Sequence, residues 1–526
     1  MKHPYTGLCL ALTAATSPMS LHAQEPTFTL TPSADHQQLG ANYVAVGDIN
    51  GDGIADLAVS DPGYRVDGNS GAGVVHLISG ADGTTLRGYQ GNLAASQFFG
   101  LGLAALDANG DGVTDLAVGA PGQSGPNGYG AGAVWIFSGK TGALLSTVTG
   151  PDGSQFGSVL QNAGDQNGDG VDDLYVSAPT AGGYYGAVHL LSVADGTTLG
   201  IFEPAGSFTN FGTTLATVGD IDGDGRADVA IGSPGYRLNG NSAGKVSLFR
   251  SSDGGLVTEI TGTAVYHRLG ESLASAPDVN GDGVADLMIG SYSGGGAVVV
   301  SGRDLTTLVD LTLTTLPAYT PVHVGGGLDY NQDGTIDWLI GSPGLVAAAN
   351  GPAGGIRVIS GADRSTLVDY STATPYTGLG LRPHVLPHVG FAAGEDSLKD
   401  PETNGTGFVH VWRVIEEAPE PPKVDTDGDG VTDDIDAVKN SILTATVKIL
   451  GIDSTVKNTV DATGTSIADR YAKLGKVSDY KKPTLYLVSA TLLSADLACK
   501  KVVTTKDAVK LTAAAAVATV VGSIKR

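Results

Sequence analysis

One acidic nonapeptide, Asp-x-[Asn/Asp]-x-Asp-Gly-x-x-Asp, occurs six times in this chain, and it constrains the fold more tightly than any other feature. The copies run from Asp48 to Asp56, Asp107 to Asp115, Asp165 to Asp173, Asp220 to Asp228, Asp278 to Asp286 and Asp329 to Asp337. Their starts lie 59, 58, 55, 58 and 51 residues apart, so a whole structural module repeats. A seventh copy, Asp425 to Asp433, falls outside that rhythm.

The same order of elements returns around each copy. In the first unit Tyr43–Val46 reads as a strand, the acidic loop follows, and Leu57–Ser60 reads as its antiparallel partner. A Gly-rich stretch leads to a third strand, Val74–Ile78, and the turn Ser79–Gly83 delivers a fourth, Thr84–Arg87. Four strands in roughly 55 residues describe one blade of a propeller. The composition agrees, because 78 glycines supply the positive φ that tight turns need, and 41% hydrophobic residues in short runs do not suit disorder.

Two further signatures keep fixed offsets from the loops. Phe99-Gly100, Phe156-Gly157, Phe211-Gly212 and Leu269-Gly270 precede them, and Gly119-Ala120-Pro121, Ser177-Ala178-Pro179, Gly232-Ser233-Pro234 and Gly341-Ser342-Pro343 follow. On these residues the segment 27–414 resembles the FG-GAP repeat family, represented by the amino-terminal propeller of integrin α subunits. The resemblance implies an all-β, seven-bladed β-propeller. Six blades carry an acidic loop. The seventh is expected between Tyr370 and Val414, with Phe408–Trp412 as its third strand and no metal loop, closed by the amino-terminal residues 27–31.

Carboxylates and amides at positions 1, 3, 5 and 9 of such a loop, with the carbonyl of position 7, curl oxygen ligands around one hard cation, and Gly at position 6 permits the turn. The expected ligands are Asp48, Asn50, Asp52, Ile54 and Asp56; Asp107, Asn109, Asp111, Val113 and Asp115; Asp165, Asn167, Asp169, Val171 and Asp173; Asp220, Asp222, Asp224, Arg226 and Asp228; Asp278, Asn280, Asp282, Val284 and Asp286; and Asp329, Asn331, Asp333, Thr335 and Asp337. Calcium (Ca2+) is the expected ion, since zinc prefers His or Cys and magnesium a tighter octahedron. Loop four, with four aspartates, is expected to bind most tightly, and loop six, where Gln332 takes position 4, most weakly. The ions are expected to fasten blades rather than to catalyse.

The formal charge of −24 equals the number of aspartates at the ligand positions of the seven loops, so bound divalent ions would bring it to an ordinary value. No basic stripe points to nucleic acid. Residues 1–23 read as an export signal, with Lys2, the apolar run Gly7–Ala15 and a small-residue site at Ala23. Its removal takes away Cys9 and leaves Cys499 alone. No stretch reaches the length of a membrane span. A secreted or cell-surface location follows.

After the propeller, 415–423 reads as a Pro/Glu linker. The segment 424–436 resembles a thrombospondin type 3 repeat or half of a dockerin, with Asp425, Asp427, Asp429, Val431, Asp433 and Asp436 as expected calcium ligands. Residues 437–526 read as a mainly helical region. Tyr64, Arg65, Tyr129, Tyr184, Tyr185, Tyr236, Arg237 and Tyr292 fall in loops at the end away from the acidic turns, the expected recognition surface for an extracellular protein or glycan, as in cell adhesion. His384 and His388 have the spacing of helical metal ligands, but Pro383 and Pro387 oppose a helix. No catalytic constellation is legible. An extracellular hydrolase or lyase acting on polysaccharide or phospholipid is the alternative reading.

Overall fold

The computed structural model describes residues 26–31 and 38–413, apart from short internal gaps, together with 446–449 and 452–457. Seven four-stranded antiparallel sheets make up the first part. Blade 1 consists of Tyr43–Gly47, Asp56–Asp61, Val74–Ile78 and Thr85–Tyr89, paired in that order. Blades 2 to 6 repeat the pattern, beginning at Leu103, Leu160, Thr214, Ser272 and His323. Blade 7 takes Leu381–Leu386, Gly390–Asp396 and Gly407–Arg413 from its own stretch of chain, and its fourth strand is Phe28–Leu30.

That last pairing joins the ends of the domain, with Phe28 opposite Val411, Thr29 opposite His410 and Leu30 opposite Val409. Tyr370 lies one blade earlier than its sequence assignment. It belongs to Thr366–Ser371, because the sheet of blade 6 still needs a fourth strand after Gly351–Ile359.

The second strands are buried along their length, as in Asp56–Asp61 and Asp115–Ala120, because each sheet is covered on both faces by its neighbours. Among the described residues the core is accordingly divided into seven clusters, one between each pair of adjacent blades. Phe99, Phe137, Val75 and Tyr89 join blades 1 and 2. Phe202, Phe211 and Phe249 join blades 3 and 4. Leu57, Val59, Ala392 and Val411 join blade 1 to blade 7, so the ring is continuous.

The Phe-Gly signature is an interblade device. Phe99 is fully buried in the cluster, while the Gly100 amide donates to the Gly119 carbonyl at 2.8 Å. A Cβ on Gly119 would stand 1.9 Å from the Gly157 carbonyl of the next blade, so only glycine fits there. Leu39-Gly40 and Leu379-Gly380 play the same part in blades 1 and 7, their glycine amides donating to Ser60 and Gly394.

Contacts separate the chain into this domain and a second unit containing 416–526. In the second unit Thr446–Ile449 pairs antiparallel with Ile452–Lys457. The mainly helical assignment of 437–526 otherwise falls outside the described residues, as do the export signal, the linker and the loop at 424–436. Among the described residues no helix is long and apolar enough to cross a membrane.

Candidate functional site

In each of blades 1 to 6 the acidic loop joins the first strand to the second, so it lies at the same end of the blade as the turn between the third and fourth strands. Its backbone is wound around its first carboxylate. Asp48 Oδ1 accepts the amides of Gly51 and Asp52 at 2.7 and 3.0 Å, and Oδ2 accepts that of Gly53 at 2.8 Å. Asp107, Asp165, Asp220 and Asp278 accept the same three bonds. The amides of Gly170 and Gly225 hold Asp165 and Asp220 below the usual carboxylate range.

Positions 3 and 5 are set by the next turns of the same winding. Asp52 donates its amide to Asn50 Oδ1 and accepts that of Ile54, an arrangement repeated in loops two to six with Val113, Val171, Arg226, Val284 and Thr335 at position 7. Gly51 and Gly53 have φ of +81° and +87°, and a Cβ on either would meet no atom, so the backbone angle alone demands glycine. Gln332 is forced to φ +57° at the position where the other loops have glycine, at a cost of about 1 kcal/mol.

Position 9 differs from the rest. Asp56, Asp115, Asp173, Asp286 and Asp337 start the second strands, Asp228 immediately precedes one, and all six are almost completely buried. Asp56 Oδ2 accepts the Ile49 amide at 2.9 Å while Oδ1 accepts the Gly80 amide of the neighbouring turn at 3.2 Å. One carboxylate thus ties the acidic loop to the turn between strands three and four, as it does through Gly139, Ser251, Gly302 and Gly361 in blades 2, 4, 5 and 6. Burial pushes all six carboxyls up, Asp173 to about 6, and carboxylates of the same loop add to the shift.

These features fit a hard cation. In loop three Oδ1 of Asp173 is buried with no hydrogen bond. In loops one, three, five and six an Asn side-chain amide lies 2.9 Å from the position 5 oxygen, and in loop one it also reaches Asp56. Loop four has Asp222 there, and Asp220, Asp222 and Asp224 bring carboxylate oxygens within 4.8 Å of one another. Arg250, Lys140 and Arg303 approach the carboxylates of loops four, two and five at 3.8 Å. Arg250 thereby opposes part of the advantage that a fourth aspartate gives loop four.

At the other end of the ring lies a cavity of about 600 Å³, to which the first-strand region of every blade contributes, among them Tyr43, Leu103, Leu160, Thr214, Ser272, His323 and His384. Burial and the Arg382 charge hold the His323 imidazole down to about 4, and burial lowers His384. His384 is therefore a strand residue on the cavity wall, 6.4 Å from the Tyr43 ring; His388 lies outside the described residues. Sequence spacing marked His384 but offered no reason to single out Glu271, His323 or Arg382, which meet only when the ring closes.

The loops joining strands two and three share this end. Tyr184 and Tyr185 are 65% and 45% exposed there, joined by Tyr266 and Phe98, which the loop reading had not named. Arg65 and Arg237 are also exposed. Tyr236 and Tyr292 are engaged within the protein, under Lys245 at 4.0 Å and Arg268 at 5.2 Å. Tyr64 packs edge-on to His76, and Tyr129 lies outside the described residues.

Residues 44–78, 99–137, 211–249 and 269–301 match the FG-GAP repeat family model. The chain is 36% identical over 152 residues to integrin alpha-PS5 of Drosophila melanogaster, a match covering 26% of this chain and 15% of that protein. It is 31% identical over 210 residues to integrin alpha-3 of Cricetulus griseus, covering 36% and 19%. It is 36% identical over 183 residues to phosphatidylinositol-glycan-specific phospholipase D of Rattus norvegicus, covering 31% and 21%. The matched segments thus span only 15% to 21% of these relatives' own lengths. The seven-sheet ring is a β-propeller in which four stretches match the FG-GAP repeat model, and in sequence it resembles integrin α chains.

Proposed function

We propose that the chain is an exported, calcium-stabilised propeller that recognises an extracellular protein or glycan through the end of the ring away from its acidic loops. The observation that carries this reading is the division of chemistry between the two ends. At one, each aspartate is tied into its own loop or the adjacent turn, the arrangement of a fastener. At the other, exposed aromatic rings share the end of the ring with a cavity lined by both polar and apolar groups, the arrangement of a recognition surface.

Calcium fills the six propeller loops in this reading, and a seventh ion is held by Asp425–Asp436. The integrin relatives support adhesion as the setting. The likeness to the rat phospholipase D favours a second reading, a hydrolase or lyase acting on extracellular phospholipid or polysaccharide. An array of glycans and matrix proteins, probed with and without calcium, tests the first reading. A specific ligand is expected, and the absence of any ligand alongside turnover of a polymer or phospholipid would favour the second.

A further inference from the structure

We propose that Asp172, which belongs to none of the ligand sets, couples the ion sites of loops two and three, so that calcium in one raises the affinity of the other. The inference rests on the reading of the acidic loops as calcium sites and adds a dependence between two of them.

The first observation is a reciprocal bond between the two loops. The Asp107 amide donates to Asp172 Oδ2 at 2.9 Å, and the Asp172 amide donates back to the Asp107 carbonyl at 3.0 Å. Asp107 is the carboxylate around which loop two is wound, and Asp172 sits between Val171 and Asp173, the expected ligands at positions 7 and 9 of loop three. The Asn162 side-chain amide, on the first strand of blade 3, donates to the same Asp172 oxygen at 3.1 Å and to the Ala105 carbonyl of blade 2 at 3.0 Å. Its own oxygen accepts the Gly164 amide at 2.7 Å, which fixes its orientation. The loops also abut, since a Cβ on Gly110 would stand 3.5 Å from the Gly170 carbonyl.

The second observation is why this pair differs from the others. Asp107 follows Gly100 by seven residues, whereas Asp48, Asp165, Asp220 and Asp278 follow Gly40, Gly157, Gly212 and Gly270 by eight. In blades 1 and 3 the longer segment makes a bulge ending at Gly47 and Gly164, both at positive φ. Blade 2 has no bulge there. Leu106 pairs directly with Asp115 and the strand runs straight into Asp107, whose amide takes its acceptor from the next blade. Position 8 holds Ala55, Thr114, Ala227, Ala285 and Ile336 in the other loops, none with a carboxylate to offer.

A carboxylate accepting two N–H groups makes charge-assisted bonds, stronger than those between neutral groups. With Val171 and Asp173 engaged as ligands, Asp172 between them is fixed, and Asp107 meets a preset anchor, so loop two gives up less freedom in closing on its own ion. By linkage the effect is reciprocal. Mutual repulsion of the two ions acts in the opposite direction, but across solvent-facing loops it is screened by salt, whereas the Asp172 bonds are direct contacts.

The test is equilibrium dialysis of the full chain against graded free calcium in about 0.15 M sodium chloride, with bound calcium counted per chain. Asp172→Ala removes no expected ligand, yet should move one ion to at least about fivefold higher free calcium. Asp172→Asn, which keeps an oxygen acceptor, should move it by less. Asp169→Ala, at position 5 of loop three, should remove one ion and move a second by a similar factor. Adding Asp169→Ala to Asp172→Ala should remove one ion and shift nothing further. Should Asp172→Ala fail to fold, Asp172→Asn and Asp169→Ala carry the test. Unchanged binding by a folded Asp172→Ala, even with a lower melting temperature, or loss of one ion by Asp169→Ala with the rest unmoved, would overturn the coupling and leave the loops as independent fasteners. No calcium bound by the unmodified chain would remove the calcium reading itself and the coupling with it.

Discussion

Six blades of this propeller are fastened from within the loop that joins their first two strands, and the seventh is fastened from outside. In blade 1 the buried Asp56 carboxylate accepts amides from both turns at its end of the sheet, so electrostatics and hydrogen bonds hold the corner. Blade 7 has no such carboxylate. Its fastening is a strand borrowed from the amino-terminal end, the Tyr43 hydroxyl of blade 1, and Trp412 stacked on Phe391 with Tyr370 against its edge. The comparison teaches that acidic loops and apolar closure are interchangeable solutions to one problem, the stabilisation of a small sheet that cannot bury itself.

The largest effect expected from that comparison comes from removing the borrowed strand. A chain beginning at residue 38 loses three ladder pairs and the packing of Phe28, and exposes the edge of Gly407–Arg413. It should be destabilised by more than about 4 kcal/mol and self-associate, read by denaturant unfolding and light scattering. Wild-type stability in that chain would mean that the ring does not depend on its closure.

Next come paired substitutions in the two kinds of blade. Trp412→Ala should cost about 3 to 5 kcal/mol, equally with and without calcium, because the loss is apolar packing. Asp56→Ala should cost about 2 to 3 kcal/mol in calcium, since the Ile49, Asn50 and Gly80 amides lose their acceptor, and less once calcium is withdrawn. Denaturant unfolding in both conditions checks the pair, and the same calcium dependence in both variants would erase the distinction between the blades.

The smallest effect is one of pH. The folded state holds His323 down to about 4, against an ordinary value of 6.5, so it binds the proton less readily than the unfolded chain does. Stability from this group is therefore complete above pH 6.5 and lost as pH falls toward 4. About 1 kcal/mol is expected, because His323 is only half-buried at the cavity wall and solvent screens part of the shift. His323→Asn should flatten that part of the profile, and an unchanged slope would assign the acid sensitivity elsewhere.

Most of the ring was legible because blades 1 to 6 repeat local chemistry: Gly at positive φ, Asp or Asn at positions 1, 3 and 5 of the loop, and Phe-Gly before three of the loops. Blade 7 was legible through its third strand, Phe408–Trp412, and through the offset of Thr27–Leu30 from the first loop. Its start was misplaced at Tyr370, since without an acidic loop nothing local separates the last strand of one blade from the first of the next. The buried role of position 9 was half legible. The motif marks Asp56, but its bond to Gly80 joins residues 24 apart and depends on strand pairing. The cavity was not legible at all, because Tyr43 and Arg382 lie 339 residues apart in sequence and become neighbours only when the ring closes.

The central claim, that calcium in the six loops fastens six of the seven blades, is tested most directly by the melting temperature of the full chain with calcium, with a chelator, and after calcium is restored. The account predicts a large fall on chelation, since buried carboxylates such as Asp173 then lose the cation that offsets their charge, and full recovery on restoring calcium. Identical melting in all three conditions would contradict it.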